Sequence, residues 1–142
     1  MNFPITFEPN LSKEDEETIF GGLLAHASIE FGLPVANVRS KIYGFVVRIE
    51  GKLHAGIIVN IFLQAALIET LWVDSTLRRK GIGSALLKAA ERFAKTKGCN
   101  TAYLNTLSSD NIPFYKNAGY IFEFARPEYV DGFSLHYFRK AL

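Results

Sequence analysis

The chain has 142 residues, 49% of them hydrophobic and 21% charged, with a formal net charge of +2. This balance excludes a disordered polar chain and fits one domain over residues 1–142, and the slight positive excess gives no general affinity for nucleic acid or acidic membranes. Cys99 is the single cysteine, so no internal disulfide can form, and the first residues lack the pattern of a secretory signal; a cytoplasmic protein is expected.

Residues 5–8 read as a short first strand. Ser12 and Asp15 then stand at capping-box spacing, and the acidic run Glu14 to Glu17 complements the positive start of a helix. Ile19, Phe20, Leu23, Leu24, Ala27 and Phe31 recur at helical spacing until Gly32 and Pro34 stop the element. Gly21 and Gly22 interrupt it at about 1 kcal/mol each relative to alanine, so either the helix divides there or something packs closely on it.

Three antiparallel strands are predicted at 41–50, 53–63 and 65–73, with Gly51 and Lys52 in the first turn. Residues 55–73, "AGIIVNIFLQAALIETLWV", have the length of a bilayer span, but Asn60, Gln64, Glu69 and Thr70 interrupt them. Two buried strands turning near Gln64 fit better, so no membrane role is expected. A helix over 83–97 follows, with Leu86, Ala89, Ala90 and Phe93 inward, Lys88, Glu91, Arg92 and Lys95 outward, and Gly98 at its stop. A strand at 101–106, a short helix at 111–117 and strands at 120–125 and 133–139 complete a mixed, mostly antiparallel α/β sheet of about seven strands with about four flanking helices.

The stretch "LWVDSTLRRKGIGSALL" places Arg78, Arg79 and Lys80 against two glycines at the start of that long helix. A helix start exposes unpaired N–H groups and partial positive charge, and glycine lets a phosphate approach the backbone. Residues 78–84 therefore read as an anion cradle. A dinucleotide fingerprint fits less well, because Leu86 takes its third glycine position; the triphosphatase loop fails for lack of Gly-Lys-Ser/Thr. His26, His54 and His136 show no metal-ligand spacing, so no metal is expected.

The loop is similar to the pyrophosphate loop of the GNAT superfamily of N-acetyltransferases, Q/R-x-x-G-x-G/A, at Arg78, Gly81 and Gly83. "LWV" resembles the family's central strand, and "FYKNAGY", from Phe114 to Tyr120, resembles its "FYEKLGF" segment. "LNT" at 104–106 and the closing "YFRKAL" extend the likeness over 71–142, whereas the first half matches in order of elements alone. "TLSSDNIPFY" resembles the "TxSFQAPxFY" segment of a branch of small bacterial acetyltransferases; the asparagine many relatives carry seven residues before the tyrosine is Ser108 here.

The resemblance implies two neighbouring parallel strands that splay apart to admit acetyl-coenzyme A. Backbone groups at Leu71, Trp72 and Val73 would bind its pantetheine and acetyl carbonyl, Arg78, Arg79, Lys80, Gly81, Ile82, Gly83 and Ser84 its pyrophosphate, with Asn111 as a further contact. Tyr115 would protonate or hydrogen-bond the leaving thiolate. An alkylamine of pKa about 10.4 also needs a base, and Glu69, four residues before Val73, would share its face in a regular strand. His54 and His136 are weaker candidates for that role. The implied reaction is direct acetyl transfer to a primary amine of a small molecule or peptide in a ternary complex. The alternative is an inactive acyl-coenzyme A-binding sensor or interaction module, and homodimerisation is left open.

Overall fold

The structure, a computed structural model, describes residues 3–32 and 39–142. The chain divides into two units, Met1–Arg39 and Ser40–Leu142.

In the first unit, helix α1 spans Lys13–Phe31. The Ser12 hydroxyl oxygen accepts the Asp15 N–H at 3.0 Å, Glu14, Asp15 and Glu16 lie in the first turn, and Gly32 closes the helix at φ 66°. The helix runs unbroken through Gly21 and Gly22, and nothing lies within 4 Å of a Cβ built at either. Both readings of that glycine pair are thereby corrected: caps at the two ends outweigh the local loss of propensity, and one helix replaces two. Residues 5–8 form no strand either, since no described strand pairs with them. Pro34 lies outside the described residues.

The second unit is a six-stranded sheet in the order β1-β2-β3-β4-β6-β5. Its strands are β1 Lys41–Ile49, β2 Lys52–Phe62, β3 Ala65–Val73, β4 Thr101–Thr106, β5 Ile121–Val130 and β6 Phe133–Ala141; α2 Ile82–Thr96 and α3 Ile112–Asn117 are its helices. The described residues thus hold six strands and three helices, slightly fewer than expected, in the mixed architecture foreseen.

Alternate residues of β2, Ala55, Ile57 and Val59, are buried against Leu86, Leu87, Ala90 and Ala94 of α2, with Ala102, Leu104 and Phe138 extending the same core. Burying a side chain such as Ile57 or Leu87 contributes about 2 kcal/mol, which holds α2 across this face of the sheet. Phe93 adds edge-to-face contacts with Tyr43 and Phe45, at centroid separations of 4.7 and 5.7 Å.

The helical pattern misplaces one residue. Glu91, expected outside, is 9% exposed, and its Oε2 accepts from Lys140 Nζ of β6 at 2.8 Å. The same ammonium donates to the Ala118 carbonyl at the end of α3 at 2.8 Å and lies 5.6 Å from the Tyr120 ring centroid. A partner from a distant strand is what brings this carboxylate inside.

β3 and β4 are the parallel pair, and they pair only from Ala65–Thr101 to Ile68–Leu104. Beyond that point β3 stays with β2 as far as Val73 opposite Ala55, while Asn105 and Thr106 stay with Tyr137 and His136 of β6. A β-bulge sits where the strands part: Ile58 faces Thr70 and Val59 faces Ile68, leaving Glu69 as the extra residue. A bulge bends its strand and increases local twist, which steers the end of β3 away from β4.

Candidate active site

The splay leaves the β4-facing edge of residues 69–73 without ladder partners from β4. Two cavities lie in this region. The first, about 550 Å³, is lined by Leu71, Trp72, Val73, Arg78, Arg79, Gly81, Ile82, Gly83, Ser84 and Asn111, together with Leu77, Phe114 and Tyr115. Lys80, assigned beside them from sequence, does not line it.

Local backbone chemistry shapes the cradle. The Asp74 carboxylate accepts the Thr76 N–H and hydroxyl at 2.9 and 2.8 Å, opening a short turn over Ser75–Leu77. These bonds, the backbone one foremost, hold its pKa below the ordinary carboxylate value. Arg79 and Gly81 take positive φ, 60° and 78°, and Gly81 caps α2 without a side-chain hydrogen bond. The first N–H groups of α2 therefore keep their donor capacity at the cavity wall. Arg78 Nε donates to the Val73 carbonyl at 3.0 Å, orienting the guanidinium from the end of β3.

Gly83 differs from Gly81 in its backbone conformation. Its φ is not positive, and a Cβ there would meet the Phe114 ring at 3.5 Å and Val73 Cγ2 at 3.8 Å. These are ordinary van der Waals distances, so neither packing nor a left-handed turn demands glycine here; Gly81 supplies the left-handed turn.

Tyr115 connects this cavity to the second. It stands in the six-residue helix α3, is 8% exposed, and packs on Phe114, Tyr120 and Phe138 with centroids 5.1, 6.1 and 6.2 Å away. Burial pushes its phenol pKa up, so the ring carries its proton at neutral pH. The second cavity, about 480 Å³, lies at the mouth of the splay and shares Leu71, Asn111 and Tyr115 with the first.

Glu69 lines the second cavity, where Asn60 Nδ2 donates to its Oε1 at 3.0 Å. Asn60 lies between the buried Val59 and Ile61, on the sheet face away from α2, whereas Val73 packs on the α2 side. The expectation that Glu69 and Val73 share a face is thus overturned: the extra residue of the bulge shifts the alternation of β3 by one. Of the weaker base candidates, His54 Nδ1 lies 3.7 Å from Asp74 Oδ2 and His136 Nδ1 lies 3.3 Å from the Thr106 carbonyl, and neither lines these cavities. Sequence reasoning missed Leu77 in the first cavity and Thr106, Tyr129 and Tyr137 in the second; the last two require knowing how the β5–β6 hairpin meets β4.

No group of three or more His, Cys, Asp and Glu side chains suited to a metal occurs among the described residues, and no helix among them is long and apolar enough to cross a membrane. A family model described as the acetyltransferase (GNAT) family matches residues 10–120. The chain belongs to this family. It is accordingly an acetyl-coenzyme A-dependent acyltransferase. It is 31% identical over 93 residues to a blasticidin-S acetyltransferase of Streptomyces morookaense, covering 65% of this chain and 68% of that protein. A crystal structure of an acetyltransferase from Bacillus cereus ATCC 14579 superposes with a TM-score of 0.79 at 28% identity, covering 96% of this chain and 98% of that one. A GNAT family acetyltransferase from Elizabethkingia anophelis with acetyl-CoA bound shares the fold, with a TM-score of 0.61 at 17% identity over 70% of this chain and 75% of that chain.

Proposed function

We propose that the chain, acting as one catalytic domain over residues 1–142, transfers an acetyl group from acetyl-coenzyme A to a primary amine of a small molecule or peptide within a ternary complex. The observation carrying this reading is the meeting of two cavities at Leu71, Asn111 and Tyr115, where β3 leaves β4. One cavity has the cationic loop and helix start that suit a pyrophosphate; the other has a carboxylate and room for an acceptor. Bound acetyl-coenzyme A supplies the activated acyl group as a thioester.

Arg78, Arg79 and the amides of Gly81 to Ser84 hold the pyrophosphate in this proposal. Lys80 retains only a long-range electrostatic part, since it is off the cavity wall. Backbone N–H groups beside Leu71 to Val73 take the carbonyl oxygen as negative charge develops on it. Glu69 receives the amine proton directly or through a water, and the Tyr115 hydroxyl hydrogen-bonds the departing sulfur. With reference pKa values near 10 for tyrosine and about 8.5 for a thiol, the raised phenol pKa favours hydrogen bonding over full proton transfer.

Cys99 supports direct attack, because it is 5% exposed and burial pushes its thiol pKa up, both adverse to a nucleophile. The acetyltransferase relative named for blasticidin-S supports a small-molecule acceptor. A cytoplasmic setting belongs to the same proposal, given the need for acetyl-coenzyme A. Initial rates of thiol release, measured while acetyl-coenzyme A and the best amine of a panel are varied, provide the test. Intersecting double-reciprocal lines and an acetylated amine by mass support it; parallel lines with an acetylated protein overturn it.

A further inference from the structure

The acceptor-side cavity carries an electrostatic imbalance. Glu69 is the one charged side chain among its described lining residues; Tyr129, Tyr137, Asn105 and Thr106 are uncharged neighbours there. Asn60 donates to the carboxylate at 3.0 Å, but no described Lys or Arg forms an ion pair with it, whereas Glu91 and Glu123 are paired with Lys140 and Arg139, each at 2.8 Å. Arg126 meets the wall at Tyr137, its guanidinium carbon 5.7 Å from the ring centroid, without pairing with Glu69. The bulge in β3 and the Asn60 amide fix a negative charge at this mouth, and no cation among the described residues pairs with it.

We infer that this chamber selects compact acceptors bearing a second positive charge besides the reacting amine, and rejects amines that carry a carboxylate. The inference rests on the acyl-transfer reading of the site. One cationic end meets Glu69, an arrangement favoured by carboxylate attraction, and Tyr129 lines the space left for the rest of the acceptor, since the Tyr137 ring is stacked on Phe124 at 4.4 Å. A carboxylate on the acceptor would face Glu69 across a cavity of about 480 Å³ without a compensating cation from its lining.

Three probes with comparable alkylamines test this: 1,5-diaminopentane, lysinamide and lysine. Lysine differs from the diamine by its carboxylate and from lysinamide by the charge of that group. With acetyl-coenzyme A saturating, kcat/KM should be about tenfold or more higher for the diamine and lysinamide than for lysine. In Glu69→Gln the gap should shrink to about threefold or less, even as all three rates fall. Loss of a base lowers the three acceptors together and leaves their ratio unchanged, so the ratio separates selection from proton removal. A wild-type preference for lysine, or a gap unchanged in Glu69→Gln, would overturn the inference. Calorimetric binding of the same probes to the coenzyme A-loaded protein makes the ranking independent of turnover. The expected ranking without thiol release would sink the acyl-transfer reading and uphold the charge selection, whereas equal binding would sink the selection.

Discussion

Arg78 Nε donates to the carbonyl of Val73 across 3.0 Å, linking the first cation of the loop to the last residue of β3. The remaining guanidinium N–H groups are thereby oriented at the cavity where the pyrophosphate is proposed to bind. Arg78→Glu should weaken acetyl-coenzyme A binding by about 2 kcal/mol, roughly 30-fold, through loss of charge-assisted donors and gain of a repelling carboxylate. Arg78→Lys should fall between, because it keeps the charge and loses the planar fork. Calorimetry at low salt checks both, and unchanged affinity in Arg78→Glu would remove the loop from the site.

Tyr115 packs through its ring and faces both cavities, so its two contributions are separable. Tyr115→Phe keeps the ring; cofactor affinity should stay within a few-fold while turnover falls by about one to three orders of magnitude. Tyr115→Ala should lower both turnover and stability. Steady-state turnover across a broad pH range, beside titration of the cofactor, decides the matter. Wild-type turnover in the phenylalanine variant would leave the β3 amides as the main source of rate enhancement.

The contrast between Tyr115 and Glu91 shows what sequence made legible. The loop, the α2 periodicity and the "FY" segment depend on residues close together in the chain. Glu91 lies on the predicted polar side of α2 beside Lys88 and Arg92, and only the return of β6, 49 residues later, brings Lys140 to it. Simple alternation puts Glu69 on the face of Val73 because it assumes a regular strand, whereas a bulge is defined by its register with a partner strand. Tyr129 and Tyr137 entered the second cavity unseen for a related reason: the hairpin carrying them had legible strands, but no visible register against β4.

The Glu91–Lys140 pair yields a stability prediction. Lys140→Met removes the cation from a mostly buried carboxylate and from the Ala118 carbonyl, and should destabilise the fold by about 3 kcal/mol. Glu91→Gln combined with Lys140→Met should recover part of that loss, because no unpaired charge remains. Urea unfolding of the two variants gives the comparison; equal losses would mean that the missing ammonium–carbonyl bond dominates.

Tyr120, 3% exposed, has its phenol pKa pushed up by burial first and by the Glu91 carboxylate second, and burial raises that of Tyr115 as well. Groups with pKa values raised on folding contribute stability that is present below the unfolded value and is lost as pH rises towards the folded one. Above pH of about 10 the unfolded chain binds fewer protons, so stability should fall by up to about 1.4 kcal/mol per pH unit for each of these two tyrosines. Denaturant titrations at successive alkaline pH values, with tyrosinate absorbance followed in parallel, test this. Ionisation of both rings before unfolding would contradict it.

The bulge at Glu69 makes this part of β3 one residue longer than the β2 segment it pairs with. Deleting Glu69 would return the strand to a plain alternation with its register unchanged on either side: Ile68 would stay opposite Val59 and Thr70 opposite Ile58, and Leu71 and Val73 would still face α2. A glutamine at this position alters one side chain, but a missing residue removes the bend and extra twist with which β3 leaves β4. Loss of Glu69 should therefore leave a folded protein that binds acetyl-coenzyme A more weakly by calorimetry, whereas glutamine should leave that affinity near normal and slow turnover. The strand's odd residue is thus a wedge that parts two strands, whatever chemistry its carboxylate performs.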